Sequence, residues 1–232
     1  MSSKVVQIKQ IGTVTFSKNR RSKNIKISVK PDKSVLVSYP FYCTSKEVLT
    51  FVHKNEAWIR HQQQKVGLKR NKIDANSKIE TKLHLIEFVL AEKYDVSTKR
   101  ADVQIKVMDF DSDKSQNYIE DILTQIYRFE AKKILPPRLS ELAEEQGFQF
   151  QKVSIRNNKR NWGSCSSKNN ISLNLQMMKL PNELIDYILL HELVHTEIKN
   201  HGPRFWEKLN EITNNRAREL AKQVKQYSTY TL

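Results

Sequence analysis

Between Leu184 and Val194 the apolar residues Leu184, Ile185, Ile188, Leu189, Leu190, Leu193 and Val194 cover most of the circumference of a helix, and Pro181 suits its first turn. A helix apolar on nearly all sides has to lie inside the molecule, so this segment fixes where a core must form. Yet the same segment carries His191, Glu192 and His195. Residues four apart project from one face about one turn apart, so the two imidazoles can converge on a single cation. Glu192, rotated by roughly 100° around the helix, flanks that point.

This H-E-x-x-H spacing suits zinc chemistry. Neutral imidazoles hold the ion, the ion acidifies a water, and the adjacent carboxylate takes the proton as the water attacks a carbonyl. A catalytic zinc commonly uses three protein ligands and keeps one position open. The sequence offers a third ligand in Asn200-His201-Gly202-Pro203, which breaks the helix and presents His201 six residues after His195. The plainer alternative is a set of hydrogen-bonded core histidines, but burying two imidazoles and a carboxylate on one helix without a cation is costly.

A chain of 232 residues with 38% hydrophobic content can bury one substantial core or two modest ones. No apolar run approaches the length of a membrane span, and MSSKVVQIKQ contains neither an apolar core nor a small-residue cleavage site, so a cytoplasmic protein is expected. Two distant cysteines, Cys43 and Cys165, argue against a disulfide framework. The net charge of +15 is concentrated early, with eight lysines and arginines before the first acid, Asp32. Such a field attracts polyanions, nucleic acid among them, without specifying an activity.

Along the chain, Ile25 to Val29 and Val35 to Tyr39 alternate as the strands of a hairpin around Pro31-Asp32-Lys33-Ser34. Thr44 and Glu47 have capping-box spacing, and a helix follows to about Gln64, docked on the hairpin. Val66 to Ser77 reads as a linker, while Leu83 to Leu90 and Val103 to Val107 read as strands. A long helix from Tyr118 is expected to kink or break at Pro136-Pro137 and to stop at Gly147. Phe148 to Ile155 and Ile171 to Met177 alternate as strands around the oversized loop RNNKRNWGSCSSKNN.

Four stretches together, WGSCSSKNN (Trp162 to Asn170), ISLNL, PNELIDYILLHELVH and NHGPRFW ending at Trp206, resemble the YgjP-like metallopeptidase domain family, relatives of the SprT and WLM zinc proteases. The likeness extends over about residues 14–212. It implies an α+β fold with a zincin-like core, preceded by a basic N-terminal sheet-and-helix half, with the division set at residues 1–115 and 116–232. It also implies one Zn2+ held by His191, His195 and His201, Glu192 as catalytic acid/base, and a peptide or protein substrate. Ile198 stands where metzincins have a glycine, so that group is not implied, and Asn161 stands where the family pattern has arginine, with Arg160 one place earlier. By the same analogy the strand from Ile171 to Met177 is expected to edge the cleft.

Other candidates have plainer roles. Cys165 is expected to pack rather than act as a nucleophile, His53, His61 and His84 lack convergent partners in sequence, and Lys159 and Arg160 are expected to be solvated. Trp206 and Phe205 are expected to anchor the last helix. The reading is therefore a zinc-dependent hydrolase cleaving peptide bonds, with two rivals: a metal-dependent nucleotide phosphohydrolase, and a nucleic-acid-associated protein with a structural metal site.

Overall fold

A computed structural model describes residues 3–30, 33–68 and 72–231, with the side chains of residues 65–68 left aside. The chain divides into two compact units, Met1–Asn71 and Lys72–Thr231. In the first, the strands are β1 (Ser3–Ile8), β2 (Gly12–Lys18), β3 (Lys26–Val29) and β4 (Val35–Tyr39), in the spatial order β1-β2-β4-β3. Gln10 and Gly12 take positive φ and turn β1 back on β2. The expected hairpin is the antiparallel β3–β4 pair, with Val29 opposite Val35; Pro31 and Asp32 of its turn lie outside the described residues. β1 and β2 escaped the sequence reading.

The inward side chains of this sheet, Val14, Phe16, Val35 and Val37, form a core with Val48 and Val52 of α1 (Ser45–Lys54) and Ile59 of α2 (Glu56–Leu68). Thr44 and Glu47 make the expected capping box: the Thr44 amide donates to Glu47 Oε2 at 2.8 Å, and the Glu47 amide donates to Thr44 Oγ1 at 3.3 Å. The single helix expected here is two, joined at Asn55. Gln63 Nε2 then ties α2 to the turns by donating to Ile11 O and Lys33 O.

The second unit begins with a sheet of β5 (Lys78–Glu80), β6 (Leu85–Leu90), β7 (Asp95–Lys99) and β8 (Asp102–Val107), ordered β5-β6-β8-β7 with β6 and β8 parallel. α3 (Asp113–Gln146) follows, capped by Ser112 and closed by Gly147 in the left-handed conformation, as its position predicted. Of the two outcomes expected at Pro136-Pro137, an interruption does not occur: α3 is continuous through both prolines. Their missing amides deprive the carbonyls of Lys132 and Lys133, which lie in an exposed stretch open to water, while Leu135, Leu139 and Leu142 are buried on the other face.

Glu130 of α3 is fully buried and accepts from the Lys82 and Leu83 amides and from the Thr81 hydroxyl, with His84 Nδ1 at 2.7 Å. This carboxylate pins the β5–β6 turn to α3. The sheet thus packs with the helix, and both lie in the second unit.

A three-stranded sheet of β9 (Lys152–Arg156), β10 (Gly163–Cys165) and β11 (Asn170–Asn174) then forms in the order β10-β11-β9. Leu175–Lys179 turns as a short 3-10 helix, where the sequence reading continued the strand. The chain ends in α4 (Asn182–Glu197), α5 (Pro203–Ile212) and α6 (Ala217–Val224). α4 buries Leu184, Ile185, Ile188, Leu189, Leu193 and Val194, as its all-round apolarity demands. Arg138 of α3 clamps α4 by donating from Nε and Nη2 to the two oxygens of Asp186, at 2.9 and 2.8 Å.

Candidate metal centre

His191 and His195 project one turn apart from α4, with ring centres 4.9 Å apart. The helix stops at Ile198, whose extended backbone leads through Asn200 to Gly202, and Pro203 starts α5. His201 sits in this joint and folds back onto α4. Its Nε2 lies 3.0 Å from His191 Nε2 and 3.2 Å from His195 Nε2, and the three nitrogens all fall within 4.8 Å of one another. Phe205, one turn into α5 and fully buried, underlies the group, with its ring centre 4.6 to 4.9 Å from each imidazole.

His195 Nδ1 is 3.0 Å from the carbonyl of Ile198, which can only accept, so Nδ1 carries the hydrogen and Nε2 offers its lone pair to the group. Burial holds His191 down to about 3, with smaller contributions from the other two imidazoles, and burial also lowers His195. Both rings are therefore neutral near pH 7.

These residues fit a divalent cation. Two nitrogen ligands of a tetrahedral zinc, each at about 2.0–2.1 Å from the ion, lie about 3.3 Å apart, close to the separations found here. Three ring nitrogens this close, one from each imidazole, could hold a metal ion together.

Glu192 is nine-tenths buried or more, and its Oε2 has no hydrogen-bond partner among the described residues. Burial pushes its carboxyl up to about 8. Gly163 of β10 lies directly against it: a β-carbon added there would fall 2.6 Å from Glu192 Oε1 and 2.7 Å from Cγ. The edge of the small sheet beside α4 is therefore β10, whereas β11, expected to edge the cleft, is the central strand with β9 on its far side. The loop before β10 is held by fully buried Asn174, whose Nδ2 donates to Asn158 O and Asn161 O, and Asn161 Nδ2 donates to Gly163 O. Asn161, in place of the arginine, thus shapes the loop. Gly163, Asn174 and the floor formed by Phe205 were not identified as site features from sequence.

Among the described residues, no other candidate joins the three converging nitrogens. His84 belongs to the Glu130 cluster, and His53 and His61 lie on α1 and α2 of the first unit. Cys165 Sγ is 3.8 Å from Lys199 Nζ, and burial pushes its thiol up, which keeps it protonated and unsuited to nucleophilic attack. Arg160 is exposed, as expected. Trp206 packs edge-on against Phe205 and carries the Arg218 guanidinium on its ring.

Among solved structures, the chain is similar to the metallopeptidase zymogens abylysin of Pyrococcus abyssi and jannalysin of Methanocaldococcus jannaschii. Each is 26% identical over 40% of this chain, covering 93% and 94% of the respective zymogen, with TM-scores of 0.37 and 0.36. A mutant of Wss1 from Saccharomyces cerevisiae aligns over 61% of this chain and 96% of its own at 20% identity, with a TM-score of 0.31. No curated relative matches. The sequence model described as YgjP-like, metallopeptidase domain, matches residues 23–227, which include α4, the His201 joint and the loop before β10. The chain belongs to the YgjP-like metallopeptidase domain family.

Proposed function

We propose that this protein is a zinc-dependent peptidase in which His191, His195 and His201 hold one Zn2+ and Glu192 is the general base. Membership of a metallopeptidase family implies a divalent metal and a peptide or protein substrate. The observation that carries the finer reading is the convergence of three imidazole nitrogens, at 3.0 and 3.2 Å, on the helix that also bears the buried, unpartnered Glu192 carboxyl. When bound, zinc supplies Lewis-acid polarisation of a carbonyl and lowers the pKa of water.

The chain's own residues do the rest. The Ile198 carbonyl fixes the tautomer of His195, and Phe205 packs all three rings into one orientation. Glu192, next to His191 on α4 and with Oε2 unpartnered, would take a proton from the attacking water and pass it to the leaving amine, the charge of a bound cation offsetting the effect of burial and keeping the carboxylate ionised. β10 is an edge strand whose Gly163 touches Glu192, so an extended peptide adding alongside it would bring a backbone carbonyl to the site.

In this proposal the catalytic machinery resides in residues 116–232, within a zincin-like core. Two free cysteines fit a cytoplasmic setting, and no described helix is long and apolar enough to cross a membrane. Association with nucleic acid is a second reading favoured by charge, since residues 1–71 carry fifteen lysines and arginines against three acids. The deciding experiment compares hydrolysis of a casein-like protein and of nucleoside triphosphates by wild type and Glu192→Gln. Peptide-bond hydrolysis lost in the variant while zinc is retained supports the proposal. Triphosphate hydrolysis with that dependence, and no proteolysis, would replace it with the phosphohydrolase.

A further inference from the structure

Two arginines near the start of α6 have contrasting surroundings. Arg216 is saturated: Nε and Nη2 donate to the two oxygens of Glu219 at 3.0 and 2.7 Å, and Nη1 donates to Glu183. Arg218, two residues later, has no carboxylate partner among the described residues, although Glu219 is its neighbour in sequence. Its guanidinium instead lies over the Trp206 ring, with the central carbon 3.6 Å from the ring centre. Stacking in this way steadies the side chain and leaves the in-plane N–H groups at its edges free to donate.

Arg218 is held by the same elements that build the metal centre. Buried Ala217, Leu220 and Val224 anchor α6, which packs on α4 and α5. The Trp206 ring centre lies 6.3 Å from that of His201, so the guanidinium is within about 10 Å of that imidazole. On the α4 side, Tyr187 stands one turn before His191, its ring 6.1 Å away, and the charge of Arg218 reaches its phenol. Tyr187 is buried, yet no protein group among the described residues bonds its hydroxyl. Two aromatic rings thus connect the triad to one unpaired cation. A span of about 10 Å corresponds to roughly three residues of extended peptide, or fewer when a side chain covers part of the distance.

We propose that Arg218, stacked on Trp206 beside Tyr187, is a specificity-determining residue that receives a carboxylate of the peptide substrate. The inference rests on the peptidase reading above and adds to it the substrate class: peptides bearing an acidic side chain or a free C-terminal carboxylate within a few residues of the scissile bond. The guanidinium edge supplies two parallel donors to the carboxylate. Discrimination comes from the neutral alternative, since an amide leaves part of the donor set unmet.

Calorimetric titration of zinc-loaded Glu192→Gln protein tests this without turnover. The probes are peptides of one sequence carrying Glu or Gln two residues from the centre, each with a free or amidated C-terminus. The expected result is binding about 10-fold or more tighter for the carboxylate-bearing peptides, with the Glu and free-terminus arms showing which carboxylate is read. Adding Arg218→Gln should collapse the acidic-to-neutral ratio towards one, and Arg218→Lys should restore part of it. Equal affinity for all four peptides, no binding by any, or a preference that survives Arg218→Gln would overturn the assignment. Preferential binding through Arg218 without hydrolysis by the wild type would leave the subsite standing and sink the peptidase reading instead.

Discussion

Gly163 lies so close to Glu192 that a single added β-carbon would fall within 2.6 Å of its carboxyl. Glycine here makes room rather than satisfying the backbone, because Gly163 is not among the glycines with positive φ. Gly163→Ala should therefore displace the Glu192 side chain while leaving the imidazoles in place. We expect hydrolysis to fall on the order of 10²-fold, the cost of misplacing a reacting group by about 1 Å, with bound zinc and folding largely retained. Rates measured beside metal content check this; unchanged turnover would separate Gly163 from the function of Glu192.

The Glu130 carboxylate gathers Thr81, Lys82, Leu83 and His84 in a fully buried site. Glu130→Ala removes the common acceptor and leaves those donors without partners, so it should destabilise the second unit by about 3 kcal/mol or more. Glu130→Gln, which keeps one acceptor oxygen, should cost less. Denaturant unfolding followed by a probe in residues 72–231 gives both values, and a loss below about 1 kcal/mol for the alanine variant would contradict the pinning role.

Lys179 lies beneath the C-terminal segment and donates to the carbonyls of Ser228 and Tyr230, and its partial burial lowers its pKa from 10.5 to about 8. The folded value is below the unfolded one, so between about pH 8 and 10.5 the unfolded chain holds a proton that the folded chain has released. This residue's contribution to stability therefore rises with pH across that window and is least favourable below about 8. From pH 7.5 to 10 the Tm of the wild type should rise relative to that of Lys179→Met. A difference that stays flat or falls with pH would reverse the assigned direction.

Cys165 ends β10, the strand whose Gly163 touches Glu192, but its raised thiol pKa and its position next to Lys199 describe a packed, protonated side chain. Cys165→Ala should keep hydrolysis within the same order of magnitude. Loss of turnover with zinc intact would require a chemical role for the sulfur.

The helix bearing the site was legible because its signals were local: an all-round apolar sequence, histidines four apart and a Gly-Pro joint after the third. The Thr44 cap and the Gly147 stop were legible for the same reason. Pro136 and Pro137 do not break the helix because their local cost is met by water on the exposed face and by buried leucines on the other. β10 was hidden in a polar loop, since a three-residue strand has no room to alternate and is defined by its pairing with β11. Gly163, Asn174 and Glu130 act through contacts with residues 13 to 49 positions away, which no spacing rule encodes.

The central claim is that the imidazoles of His191, His195 and His201 share one ion. Elemental analysis of the purified wild type beside His195→Ala tests it most directly. The account predicts one zinc per chain in the wild type and loss of that zinc in a variant that remains folded. A wild type that takes up no zinc when supplied with it, or a variant that keeps the full complement, would contradict it.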